Sequence, residues 1–281
     1  MEHQILVEQL KESYRQIFAE QSEADVLSWA QTKKNSTDLV SPTIPFVGKD
    51  YPAQKTKVLL YASAEVLTNY TKKGGWLDDD KVAINRHRKW FNDHSEGLFF
   101  PNVHLEPMKD GSLLMVLRYI CEQLDIEMPA TPREFEEAIA FANFGKFSIR
   151  TETRNKDYAK AKDKPKLDCC LPYIKTDLEL LQPDIIVMFK TIYDIERDSI
   201  KAIKGDAKVI PIYQINVRNI NIHIKPKFAL KDKNELSPVI QDWYDARHFN
   251  QNKFTGDNRK NFLSVFTYLD SILKSRKLIA L

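Results

Sequence analysis

Apolar residues recur at helical spacing near the N-terminus: Ile5, Leu6, Leu10, Tyr14, Ile17 and Phe18, then Val26, Leu27 and Trp29. This pattern predicts helix across residues 3–31. A polar loop with Ser36 and Thr37 follows, and the period then changes. "TIPFVG" is a short apolar run stopped by Gly48, and "KVLLYAS", from Lys57 to Ser63, has the large and β-branched residues of a buried strand. Residues 64–100 mix polar and aromatic groups without a period. "DGSLLMVLRYICEQL" predicts a helix capped by Asp110 or Ser112. "TPREFEEAIAFANF" predicts another, with Pro132 near its first turn.

The sharpest change of pattern lies further on. From Lys146 to Lys166 the chain is basic and polar, ending in "KAKDKPK"; it then turns into "DCCLPYIKTDLELLQPDIIVMFK". That segment predicts a helix around Tyr173–Leu181, a break at Pro183 and a second buried strand, "DIIVMF". "TIYDIERDSIKAIKG" predicts a short helix closed by Gly205, and "KVIPIYQI" a third strand. "NVRNINIHIKPKFAL" alternates in places, as an extended edge element would. "SPVIQDWYDARHF" and "NRKNFLSVFTYLDSILKS" predict helices near the C-terminus. Strands separated by helices at this spacing predict a three-layer α/β/α fold with a largely parallel central sheet. Residues 1–50 are expected to form a helical extension packed on the core, and residues 51–281 a single α/β domain.

Composition narrows the function classes. The chain has 281 residues, 43% hydrophobic and 29% charged, enough to bury a sizeable core. A net charge of +3 is not that of a polycation, so nucleic-acid binding must come from local clustering. No run of eighteen apolar residues is present and the N-terminus lacks the order of a secretory signal, so no membrane partner is expected. Three cysteines, Cys121, Cys169 and Cys170, have no metal-ligand spacing, and cytoplasmic location is expected. No metal or cofactor is expected: His87 and His94 have no third ligand convincingly placed.

In open α/β sheets, sites form beyond the C-terminal ends of the strands. Ser63 and Glu65 follow the first strand; Glu65 either activates water or favours the first turn of a helix. Asn143 and Lys146 in "FANFGKF" can meet a base edge and a phosphate, or close a helix at Gly145. Arg150, Arg154, Lys160 and Lys164 belong to the basic segment, which can contact a nucleic-acid backbone or form a solvated loop. His223, downstream of the third strand, can stabilise a leaving group or sit at a strand edge. His248 has Asp245 three residues earlier as a partner on a helix face. Cys169 and Cys170 read as packing residues.

The order of "VLLYAS", "MKDGSLLMVLRYI", "FANFGKF", "CLPYIKTDLELLQPDIIVMFK" and "KVIPIYQI" resembles that of the uracil-DNA glycosylase superfamily, over roughly Lys57 to Ile272. The places of the two catalytic motifs read "YASAEVLT" and "QINVRNINIH", so the resemblance is to a divergent branch. It implies a glycosylase-like fold and a DNA-repair hydrolase that cleaves a base–sugar bond in DNA. Glu65 would activate water, Asn143 would read the flipped base and His223 would stabilise the leaving base, with Ser63 and Lys146 beside the substrate. Loss of both motifs equally implies an inactive scaffold that binds nucleic acid or a partner. DNA or a nucleotide-like ligand is the expected partner on either reading.

Overall fold

The computed structural model describes residues 2–21, 42, 44–64, 112–146, 149–150, 155–156, 164–246 and 255–279. Glu65, Arg154, Lys160 and His248 lie outside these residues, as do residues 22–31 of the expected first helix. The described strands are β1 (Phe46–Val47), β2 (Val58–Ala64), β3 (Ala140–Gly145), β4 (Ile149–Arg150), β5 (Asn155–Lys156), β6 (Ile185–Phe189) and β7 (Lys208–Ile212). The described helices are α1 (His3–Glu20), α2 (Ser112–Gln123), α3 (Pro132–Glu137), α4 (Lys164–Asp168), α5 (Leu171–Leu181), α6 (Lys190–Ile203), α7 (Pro238–Asp245), α8 (Asp257–Asn261) and α9 (Leu263–Ser275). Five strands form one mostly parallel sheet in the order β1-β3-β2-β6-β7, so the expected α/β class holds. Strands β4 and β5 pair antiparallel as a separate ribbon.

The chain divides into two compact units. One takes Met1–Phe99 with Ile139–Val209, the other Phe100–Ala138 with Ile210–Leu281. In the first, β2 lies between two parallel neighbours: Leu59 is opposite Ala140 of β3 and Ile186 of β6. Val58 through Ser63 are all buried, which is why this strand is an unbroken apolar run rather than an alternating one. Asp184 fixes the register at the strand starts. Its N–H donates to Lys57 O at 2.9 Å, and its Oδ2 accepts the Lys57 N–H at 2.7 Å. Helix α5 ends at Gln182, left-handed at φ 47°, and Pro183 prevents its continuation. Helix α6 is followed by Gly205 at φ 57°, a conformation that suits glycine. Leu6, Leu10 and Tyr14 share one buried face of α1, and Leu6 and Leu10 enter the same core as Leu59, Ala142 and Ile186.

Two expectations of local structure are corrected. The helix expected through "TPREFEEAIAFANF" is only α3, and the remainder is strand β3. Thr131 caps α3 by accepting the Glu134 N–H and donating to its carboxylate. After Ala138 the backbone joins the sheet between β1 and β2, with Ala140 through Gly145 all buried. A strand buried on both faces has no period of two, so "FANF" imitates a helix continuing. The extended element expected in "NVRNINIHIKPKFAL" is helical instead. Asn216 Oδ1 accepts the Asn219 N–H at 2.8 Å and starts a turn at Val217–Asn219. A wide π-helical turn, Ile220–Ile224, follows, closed by Lys225 N–H to Ile220 O at 2.7 Å. Ile220 and Ile224 are buried while Ile222 is 53% exposed. The isoleucines thus follow helical spacing, although every second residue is apolar.

In the second unit, Arg118 of α2 donates to Met128 O and Pro129 O and pairs with Glu122 at 2.9 Å. Trp243 of α7 donates to Ala130 O at 3.1 Å and meets Phe135 of α3 edge-on. Tyr119 and Lys231 both donate to Asp270 of α9. Among the described residues no helix is long and apolar enough to cross a membrane.

Glu136 of α3 is 4% exposed, and among the described residues neither carboxyl oxygen has a hydrogen-bond partner. Burial, then the neighbouring Glu137, push its carboxyl from 4.5 up to about 9, with Arg133 opposing. The native state therefore holds a proton that the unfolded chain releases above about pH 4.5. Stability falls as pH rises through that window, by about 1.4 kcal/mol per unit, and levels off above about pH 9. Urea denaturation at about pH 6 and pH 8 should show a smaller loss for Glu136→Gln than for wild type. Equal slopes would contradict a neutral Glu136.

Candidate functional site

Ser63 and Asn143 lie at the C-terminal ends of the neighbouring parallel strands β2 and β3, where α/β sites form. Asn143 is opposite Ala62 in the register, and Ser63 is in the strand itself rather than at the start of a helix. Both side chains are buried. Lys146 follows β3 directly. Its side chain has 0% exposure, and its ammonium is 2.6 Å from Asp177 Oδ2, whose side chain is also 0% exposed. Lys146, expected at a phosphate, is therefore bound inside the first unit.

Asp177 gathers four elements. Tyr14 of α1 donates to Oδ1 at 2.6 Å, and Tyr61 of β2 donates to Oδ2 at 2.9 Å beside the Lys146 ammonium. The ammonium also lies 5.4 Å and 5.6 Å from the ring centroids of Tyr14 and Tyr61, close enough for cation–π attraction. The backbone N–H of Lys146 donates to Cys170 Sγ at 3.3 Å, just before α5, so this cysteine supports the same corner. Burial pushes the Asp177 carboxyl up; the Lys146 charge and the three donors pull against it. The Tyr14 and Tyr61 hydroxyls are held well above the usual phenol range by burial and by the Asp177 charge, so both remain donors. The cluster is suited to fastening α1, β2, β3 and α5 at one point. With no exposed surface on either charge, it offers nothing to a ligand in solution.

Asp177 escapes sequence reasoning because its partners are remote, yet it leaves a mark. Tyr173, Ile174, Asp177, Leu178 and Leu181 form the buried face of α5. A carboxylate within an apolar helical stripe needs a buried cation or donors. Tyr14 continues the stripe of Leu6 and Leu10 in the same way.

The remaining candidates separate. Arg150 is in β4. Lys164 opens α4 and pairs with Asp168 of its own helix and with Glu196 of α6 at 3.2 Å. Asp245 pairs with Lys233 and Arg259. Among the described residues no group of His, Cys, Asp and Glu could hold a metal ion.

His223 lies in the second unit, on the π-helical turn. Its ring stacks on Tyr213 with centroids 5.0 Å apart and planes at 13°. Tyr213 in turn stacks on Tyr268 of α9 at 5.5 Å and 28°, and the Tyr268 hydroxyl accepts the Tyr213 N–H at 2.9 Å. Phe228 meets Tyr268 edge-on at 5.4 Å. Arg218, Lys225 and Lys227, on and after the same turns, are exposed. Sequence reasoning reaches His223 and the strand end at Tyr213–Asn219, but not Lys225, Lys227, Phe228 or Tyr268. The readable signal was the absence of any Asp or Glu between Ile210 and Lys231.

Comparison of the sequence with protein-family models and with curated proteins finds no match.

Breaking the buried pair should be costly. Lys146→Ala is expected to lose about 3–5 kcal/mol in urea denaturation, because Asp177 would be left buried without its cation. The double variant Lys146→Met/Asp177→Leu should lose less than the two single variants added together. Additive losses would contradict the coupling.

Proposed function

We propose that this chain is a nucleic-acid-binding α/β protein that contacts its ligand through the second unit. The observation that carries this reading is the stretch from Ile210 to Lys231. It holds four Lys or Arg residues, His223 and no Asp or Glu. Lys231 is tied to Asp270 at 2.7 Å. Arg218, Lys225 and Lys227 are exposed, and among the described residues no carboxylate pairs with them. In the first unit Lys146, Lys164 and Lys190 are in ion pairs while Lys55 and Lys208 are exposed, so what sets the second-unit cations apart is their acid-free stretch of sequence. Exposed cations without carboxylate partners are the groups that displace counterions from a phosphate backbone. The reading needs no catalytic step, and it carries with it the cytoplasmic location in which three thiols stay reduced.

Binding to a labelled oligonucleotide is expected to weaken steeply with salt. The triple variant Arg218→Ala/Lys225→Ala/Lys227→Ala should flatten the log–log slope by about two to three. An unchanged slope, or no binding at low salt, would contradict the proposal.

A second reading rests on a different observation: Ser63 and Asn143 at adjacent strand ends suit the base-reading edge of a uracil-DNA glycosylase-like enzyme. On that reading, wild type releases base from uracil- or hypoxanthine-containing DNA and Glu65→Ala does not. Absence of released base from single- and double-stranded substrates would contradict it.

A further inference from the structure

We infer that His223, Tyr213 and Tyr268 form a base-stacking platform and that the ligand is single-stranded nucleic acid. This rests on the nucleic-acid reading above and specifies its partner. The three rings make a ladder graded from core to surface. Tyr268 is buried on α9, Tyr213 is half-buried next in the stack, and His223 is half-buried at its outer end.

Three sets of contacts hold the ladder in place. The Tyr268 hydroxyl holds the Tyr213 backbone, Phe228 braces Tyr268 edge-on, and Ile220 and Ile224 bury the turn that carries His223. A ring already held parallel to a second ring loses little freedom when a third planar group adds to the stack. Tyr213 stacks on one face of the imidazole, and His223 is half-buried. Its neighbour Ile222 is 53% exposed, an apolar surface beside the end of the ladder.

The partner's chemistry follows. Every base offers a flat face, but a base inside a duplex already has both faces stacked, so a platform selects unpaired bases. Arg218 lies five residues before His223, and Lys225 and Lys227 two and four residues after it. A stacking ring together with cations for phosphate contacts nearby in the chain is what a tracked single strand requires.

The test compares three labelled ligands at one salt concentration: a single-stranded thymidine oligonucleotide, the same strand with abasic sites, and a duplex. The expected result is that wild type binds the intact single strand about tenfold or more tighter than the other two. His223→Ala should lose that preference with its salt slope unchanged, and His223→Tyr should keep it. If all three ligands bind wild type alike, the platform is overturned while phosphate binding stands. If His223→Ala keeps the preference, His223 is not the stacking residue and the inference also fails. If no ligand binds wild type at low salt, the nucleic-acid reading itself is overturned. The comparison of ligands on wild type needs no variant, so it decides the matter even where a substitution disturbs folding.

Discussion

A buried carboxylate must find partners or leave the core, and in this protein Asp177 finds three. Removing a charge from water is so unfavourable that the surrounding backbone has to bring a cation and donors to it. Here the cation comes from the residue after β3, one donor from β2 and one from α1. The apolar core around them is non-directional and would accept several packings. The Asp177 cluster accepts only the one in which Tyr14, Tyr61 and Lys146 converge. The position of α1 on the first unit and the relation of β2, β3 and α5 follow from that convergence.

The same constraint bears on function. The C-terminal ends of neighbouring parallel strands are where an α/β protein places its chemistry, and the lysine there is committed to the fold. Lys164, one of the first unit's other candidate cations, also has carboxylate partners. In the second unit, Arg218, Lys225 and Lys227 stay exposed around a turn whose histidine stacks on Tyr213. On the proposed reading, those exposed cations are the local charge with which a nearly neutral chain meets a polyanion.

Much of the architecture was legible in the sequence. The strands β2, β6 and β7 and the helices between and after them announce themselves by apolar runs, Pro breaks and caps. The failures have physical causes. Strand β3 is buried on both faces, so its residues show no alternation, and the preceding "PREFEEAI" extends naturally into it as helix. The turn around Ile220–Ile224 places every second residue apolar, and only burial reveals that Ile222 faces out. The Asp177 cluster joins residues up to 163 positions apart, beyond any periodicity. The stack joins Tyr213 to Tyr268 across 55 positions. The acid-free run at Ile210–Lys231, by contrast, was present in the composition. It was masked by the more conspicuous lysines before α5, which alternate with acids.

Hydrogen exchange with and without a bound single-stranded oligonucleotide tests the division of roles most directly. Added protection is expected over Tyr213–Lys227 and none at the ends of β2 and β3 or over residues 146–166. Protection confined to those strand ends or to residues 146–166, with Tyr213–Lys227 unchanged, would contradict it.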